Sequence, residues 1–515
     1  MTVKTASQLN LFSTIKVGGW TLISRVAGLI RDIFTTNLLG ASIFHDIFVV
    51  VLKIPNVFRK FFAEGAFSQA FIPIYSEYIG TKDEKGSQDF LNALFGILLS
   101  ALFIFTALAL LFAPIFILIF APGFYFDDQK QDLAVSLLRI MFPYLALISL
   151  VAFAAGIQNS HNKFSIPAVT PLIFNLSLIG SAWLVAPKIE IPVMALAWGV
   201  LLAGFLQLLF QIAPLATIKK IPIPKIDIQN PGVKKFFILI LPAIVAGGIA
   251  QINLLIDTIF ASLLITGSPT WLYVSDRLIQ FPMGIFAIAI GTVLLPSLSK
   301  AYAQKEAQAF TEQLEHAFKL IFFLAIPSLI GLILFASPLL STIFQRGAFL
   351  WGDVQQASLS LIGFSIGLPF FMAMKVLVPA FFSRQNTKTP MLIALLSLFI
   401  NIFLNYLLAF YLELGHLGLA IASSISAIVS VFILSFILKK EGLISFAGIF
   451  SAFSFKVLIA SVALIFFLTV FNQYFNFELF TQAQRLMHLF VAVISSLIIY
   501  FGVSFFLGIR PSDFK

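Results

Sequence analysis

Apolar runs of about twenty residues, the length that carries an α-helix across a bilayer, follow one another along almost the whole chain. "ALFGILLSALFIFTALALLFAPIFILIF" (93–120) is an example. The runs are continuous rather than alternating with period two, which argues for helices and against a β-barrel. Charged residues make up only 10% of the chain, against about 25% in soluble domains, so an ordinary soluble enzyme is excluded. The reading is an all-α polytopic membrane protein. The chain contains no cysteine, which removes disulfides, thiolate metal sites and cysteine nucleophiles. The polar N-terminal stretch has no short apolar core ahead of a small-residue cleavage site, so no cleaved signal peptide is expected.

Segmentation gives about fourteen spans. They fall at 9–40, 43–75, 88–120, 133–158, 164–186, 191–217, 233–265, 270–297, 310–345, 354–382, 389–412, 416–438, 449–472 and 484–508. Polar residues interrupt the first two, which reads as bent or partly interfacial helices. Lysine and arginine in the loops set the orientation. With the N-terminus inside, fifteen fall in cytoplasmic connections, and only Lys130, Lys188, Arg346 and Arg485 fall opposite. Both termini are therefore expected in the cytoplasm. The same bias accounts for the net charge of +10 without a nucleic-acid partner. The basic connection "TIKKIPIPKIDIQNPGVKK" (217–235) lies near the midpoint and reads as a linker.

Segments about 225 residues apart resemble one another, as in repeat architectures. "LFAPIFILIFAPGF" (111–124) parallels "LFASPLLSTIFQRGAF" (334–349), and "DIFTTNLLG" (32–40) parallels "DTIFASLLITG" (257–267). Pro143 matches Pro369, and "HNKFSIPAVTPLIFNLSL" matches "RQNTKTPMLIALLSLFINIFL", aligning Asn175 with Asn401. Two six-helix lobes in parallel repeat follow, with the substrate path between them. The expected divisions are an N-terminal lobe (1–218), a cytoplasmic linker (219–235), a C-terminal lobe (236–440) and two extra helices (441–515).

Ionisable residues inside the spans cost about 2.5–3.5 kcal/mol each at a helix centre, so they should face water or one another. The candidates are Arg25, Arg31, Asp32, Asp46, Lys53, Arg59, Lys60, Glu64, Asp257, Asp276, Arg277 and Lys375. Arg25 with Asp32, and Asp46 with Lys53, are seven apart and share helix faces. Snorkelling to headgroups is the plainer reading for Lys60, Glu64 and Lys375, and Asp276 could simply neutralise Arg277 or cap a helix. Arginine dominates the lining, and its planar fork suits phosphate or carboxylate. These residues point to a transporter of an anionic, phosphorylated substrate.

The stretches "SRVAGLIRD" (24–32), "KIPNVFRKFFAEGAFSQAFIPIYSEY" (53–78), "NKFSIPA" (162–168), "DRLIQFPMGIFAIAIGTVLLPSLSK" (276–300) and "SRQNTKTP" (383–390) resemble the MurJ (MviN) family of bacterial lipid II flippases, in the MOP transporter superfamily. The resemblance implies fourteen helices, with two six-helix lobes around a cationic cavity and two further helices forming a groove for a lipid tail. It implies export of lipid II, undecaprenyl-diphosphate bearing a disaccharide-pentapeptide, across the bacterial inner membrane by alternating access. It places Arg25, Arg31, Arg59 and Arg277 on the substrate, with Asp46 and Arg59 in the binding or gating of the cavity; the intramembrane charges themselves add Asp32, Lys53, Glu64, Asp276 and Lys375 as candidates for its lining or gating. It also makes Asp257, Asn401 and Asn405 candidates for a monovalent-cation (Na+) site. An acid expected near Asn405 is an amide here, and a hydroxyl expected near Ile421 is absent; helix–helix hydrogen bonding explains the asparagines equally well. No other cofactor is implied. Membrane lipids and proteins of wall synthesis or division are the expected partners.

No GxxxxGK[ST] phosphate loop occurs, so a gradient must supply the energy. Three rivals share parts of this reading: a multidrug exporter of the same superfamily, a flippase for another polyprenyl-diphosphate glycan, and a membrane enzyme acting on lipid-linked sugars. The net cationic lining suits cationic drugs poorly. The enzyme reading lacks an acid-base constellation, because His45, His161, His316, His416 and His488 are scattered.

Overall fold

The computed structural model describes residues 3–62, 66–81, 83–444 and 452–514, without the side chains of 3–15, 61–62, 66, 242–250 and 511. Among the described residues every regular element is helical. The chain forms two compact units, Met1–Thr266 and Gly267–Lys515, each treated by itself below.

The first unit begins with α1 (Val3–Leu39), α2 (Ile43–Phe62) and α3 (Ala66–Gly80). Next come α4 (Glu84–Leu111), α5 (Ala113–Phe120), α6 (Pro122–Tyr125), α7 (Asp128–Met141) and α8 (Tyr144–Ser160). It ends with α9 (Ser165–Gly180), α10 (Pro192–Thr217) and α11 (Pro231–Ser262). The second unit starts with α12 (Ser268–Pro282), α13 (Ile288–Ala303), α14 (Ala307–Leu334) and α15 (Ala336–Phe344). It continues through α16 (Trp351–Phe382), α17 (Lys388–Leu404) and α18 (Gly415–Lys440) to α19 (Ala452–Tyr474) and α20 (Gln482–Phe506).

Among the described residues, eleven helical stretches are long and apolar enough to cross a membrane. The three further spans expected at 9–40, 43–75 and 233–265 correspond in position to α1, to α2 with α3, and to α11. These are the helices that carry Arg25, Arg31, Asp32, Asp46, Lys53, Arg59, Lys60 and Asp257. α1 runs unbroken through its polar residues, and α2 and α3 flank residues 63–65, which lie outside the described residues.

Local signals set the helix starts. The Asp83 carboxylate accepts from Gly86 N at 2.8 Å to open α4. Asn230 accepts from Gly232 N and Val233 N at 2.9 and 3.3 Å ahead of Pro231, whose missing N–H is no loss at a first helical position. Thr481 and Gln484 form a reciprocal capping box on α20.

Helix ends recur at a fixed spacing of 223 residues. Lys163 N donates to Gln158 O at 2.9 Å, and Asn386 N to Phe381 O at 3.0 Å. Lys220 N donates to Leu215 O at 3.0 Å, and Leu443 N to Leu438 O at 2.9 Å. The turn residues Asn162 and Gln385 both hold positive φ, 59° and 58°. The breaks at Phe112 (φ −101°, ψ 26°) and Phe335 (φ −109°, ψ 22°) keep the same register. In each, a proline follows within three residues, in the first turn of the next helix. Wide π-turn segments close α9 at Ser181–Val185 and α17 at Asn405–Tyr411. In this register Asn175 corresponds to Leu398, not Asn401, and Pro143 to Ile366, not Pro369. Both sequence matches slipped by three positions, close to one helical turn, a shift over which apolar faces still align.

In the first unit, Phe67, Phe71 and Tyr75 lie four apart on α3 and stack at 5.4 and 5.3 Å between ring centres. Phe90 of α4, Phe153 of α8 and Phe236 of α11 close around them. In the second, the α19–α20 pair is joined to α14 by the buried Tyr500 hydroxyl, which donates to Phe323 O at 2.6 Å.

The tip of α6 meets the end of α11. Gly123 N donates to Ser262 Oγ at 3.2 Å, and a Cβ at Gly123 would fall 1.9 Å from Ser262 O. Only glycine permits this backbone approach. Gly123→Ala is expected to lower stability by about 1–3 kcal/mol through overpacking, read as a lower midpoint in denaturant titration of the purified protein.

Candidate functional site

α1 carries the first pair of arginines, and the structure gives them different surroundings. Arg25 is exposed and makes no hydrogen bond or ion pair among the described residues. Arg31 is 9% exposed and Asp32 1%. Arg31 donates through Nε and Nη2 to Asp32 Oδ1 at 2.9 and 2.6 Å. Its Nη1 donates to Asn175 Oδ1 on α9 at 3.0 Å, and its guanidinium lies 5.6 Å from the centre of the Phe174 ring. Asn175 Nδ2 in turn donates to Ser24 O at 3.0 Å. The shared helix face of Arg25 and Asp32 therefore does not become a pair, because the neighbouring guanidinium reaches the carboxylate instead. Thr35 and Thr36 hydroxyls donate to Asp32 O at 3.1 and 2.6 Å.

Asn175 and Phe174 were not among the candidate site residues. Their signal was modest: an amide in an otherwise apolar span reads equally as helix–helix cohesion.

α2 brings further polar groups into the same unit. Asp46 is 2% exposed in its first turn, beside the buried His45, whose Nδ1 lies 2.8 Å from Gly40 O. Lys53, Arg59 and Lys60 are half-buried further along. Glu64 lies outside the described residues. On α11, Asp257 is half-buried.

In the second unit, α12 carries Asp276 and Arg277. Asp276 is exposed and accepts from Gln280 Nε2 one turn later. Arg277 is half-buried over the Tyr273 ring, 5.0 Å from its centre, and donates through Nη2 to the phenol oxygen at 3.0 Å. A bond at that spacing orients the guanidinium along its own helix. Lys375 on α16 is exposed, and its carbonyl oxygen would lie 2.7 Å from a Cβ at Gly291. Asn405 Nδ2 donates to Asn401 Oδ1 at 2.9 Å, and Asn401 Nδ2 to Ser423 Oγ at 3.4 Å. Among the described residues, no three of His, Asp and Glu gather in a metal-holding group.

Repeated membrane-length helices define a multi-pass α-helical membrane protein. The fold alone is shared with an inward-facing MATE family multidrug resistance transporter of the MOP superfamily, which superposes with a TM-score of 0.67 at 14% identity, covering 83% of this chain and 97% of that one. A solved lipid II flippase MurJ in an inward closed conformation gives a TM-score of 0.76 at 28% identity, covering 94% and 98%. The chain belongs to the lipid II flippase MurJ family, whose model matches residues 35–488. Curated relatives include a probable lipid II flippase MurJ of Vibrio cholerae, 40% identical over 84% of this chain and 83% of that one. Another, from Buchnera aphidicola subsp. Schizaphis graminum, is 38% identical over 98% of both.

Proposed function

We propose that this chain is a lipid II flippase of the bacterial inner membrane, exporting the undecaprenyl-diphosphate-linked precursor by alternating access. The family match across residues 35–488 carries this reading. It also disfavours the drug-exporter and other-glycan alternatives. The proposed topology has both termini cytoplasmic and fourteen spans. Lobes 1–218 and 236–440 are joined by the linker 219–235, with two further helices in 441–515. The helix ends repeating every 223 residues support the two-lobe arrangement.

No bond needs to break. The site must replace the water around a diphosphate, which arginines do through charge-assisted, bidentate hydrogen bonds. Arg25 is the first candidate, because its guanidinium is exposed and uncommitted. Arg59 and Arg277 are the further candidates, the latter aimed by Tyr273. Arg31, locked to Asp32 and Asn175, positions α1 against α9. Asp46, Lys53, Glu64, Asp276 and Lys375 remain assigned to the lining and its gating. Asn401 and Asn405 answer each other, which favours helix cohesion and leaves Na+ binding with Asp257 a secondary candidate.

An inside-negative potential favours outward movement of negative charge by about 2.3 kcal/mol per charge per 100 mV. Expression in bacteria depleted of their own flippase should restore growth and appearance of lipid II in the outer leaflet. Collapsing the potential with ion gradients held should slow that appearance. Failure to restore either growth or outer-leaflet lipid II, at normal membrane levels of the protein, would overturn the assignment.

A further inference from the structure

The connection between α10 and α11 is an extended strap pinned along α4. Gln88 Nε2 donates to Ile221 O at 3.1 Å. Ile223 N donates to Asn92 Oδ1 at 2.8 Å, and Lys225 N to Asn92 O at 3.1 Å. A Cβ at Gly96 would fall 2.3 Å from Lys225 O. Gln88, Asn92 and Gly96 are four apart, so one stripe of α4 serves as the track. Pro222 and Pro224 keep the strap extended and without donors of their own.

The track sets the strap's depth. Asn92 and Gly96 lie about 12 and 18 Å along α4 from Glu84 by helical rise, inside the apolar run that begins at Phe90. The strap thus runs beside the junction between the charged start of α4 and its apolar run. Its free side is unusual for a loop: Ile221, Ile223, Ile226 and Ile228 are 47, 68, 71 and 62% exposed. Around them, residues 217–235 hold five lysines against one acid, Asp227. Lys220 reaches Ser87 Oγ at 3.2 Å and Lys235 pairs with Glu77. Lys219 is exposed with no ion pair among the described residues, and Lys225 meets Asp227 only at 3.9 Å. Water is a poor solvent for four such isoleucines; a bilayer surface bearing negative headgroups complements both the apolar and the cationic halves.

We propose that this strap is an anionic-lipid binding element, its isoleucines seated at the acyl boundary of the cytoplasmic leaflet and Lys219 and Lys225 on headgroup phosphates. The occupant is phospholipid of the bilayer, distinct from the transported substrate.

The absence of native cysteine makes the test clean. Ile223→Cys, Ile226→Cys and, as an aqueous control on an exposed turn, Gln304→Cys carry an environment-sensitive fluorophore. The full chain is reconstituted in phosphatidylethanolamine vesicles with or without phosphatidylglycerol. The strap labels are expected to be quenched by nitroxide lipid and shielded from iodide, more strongly with phosphatidylglycerol; the control should behave oppositely. Lys219→Gln and Lys225→Gln should each weaken the phosphatidylglycerol preference about fivefold. Gly96→Val, which displaces the strap from its track, should return the label to iodide. Iodide access equal to that of Gln304→Cys overturns the proposal, as does lipid quenching indifferent to phosphatidylglycerol.

Discussion

Arg25→Ala is expected to abolish growth support in flippase-depleted cells while the protein accumulates and melts as the unaltered chain does. The exposed guanidinium holds no hydrogen bond or ion pair among the described residues, so its removal leaves no partner stranded. Stability should change by no more than about 0.5 kcal/mol, the usual range at such a position. The loss falls on the substrate instead. A hydrogen bond to a charged group contributes about 1.5–3 kcal/mol, so export should fall at least tenfold, by roughly the conversion of 1.4 kcal/mol per decade. Arg25→Lys should restore part of it, because an ammonium supplies the charge without the planar fork. Measurement requires outer-leaflet lipid II in intact cells alongside a denaturation midpoint for the purified variant. Export unchanged at equal protein level would remove Arg25 from the headgroup site.

Helix positions were legible in the sequence because hydrocarbon imposes one local rule on every span. The runs ended where prolines, glycines and lysines allowed, and α10, α16 and α18 begin and end within a few residues of the expected limits. The sequence matches and the helix ends differ by about a turn: the first set Asn175 against Asn401, whereas the 223-residue spacing of the helix ends sets it against Leu398. An apolar face looks much the same after a shift of three or four residues, whereas a helix end is set by hydrogen bonds that allow no slip. The pairings among the candidate residues were not legible. Seven-residue spacing correctly put Arg25 and Asp32 on one face. It could not reveal that Arg31 would fold back on its own neighbour, since that depends on Asn175 and Phe174 arriving from α9. The strap escaped notice for a similar reason. Its lysines read as an ordinary basic linker, and only its seat on Gln88, Asn92 and Gly96 fixes which way its isoleucines face.

Arg31→Ala should give the opposite signature to Arg25→Ala. Asp32 is 1% exposed, and its Oδ1 accepts two bonds from Arg31, at 2.9 and 2.6 Å. Removing the guanidinium takes both Arg31 bonds from a buried carboxylate, and breaking a buried pair from one side costs about 3–5 kcal/mol. Asn175 would keep its bond to Ser24 O but lose the link that makes α1 and α9 a single clasp. The denaturation midpoint should therefore fall sharply, with membrane levels falling too, so the growth defect follows from lost protein as well as lost transport. A double variant separates the two causes. Arg31→Met with Asp32→Leu removes both charges together, and a buried pair replaced by apolar groups of similar volume is about neutral or stabilising. That variant should recover most of the midpoint. Restored export along with it would make the pair a fastening for α1; stability restored without export would show that Arg31 also meets the substrate. An Arg31→Ala midpoint equal to that of Arg25→Ala would show that the buried pair contributes nothing, and the two arginines of one short stretch would then have to share a single role.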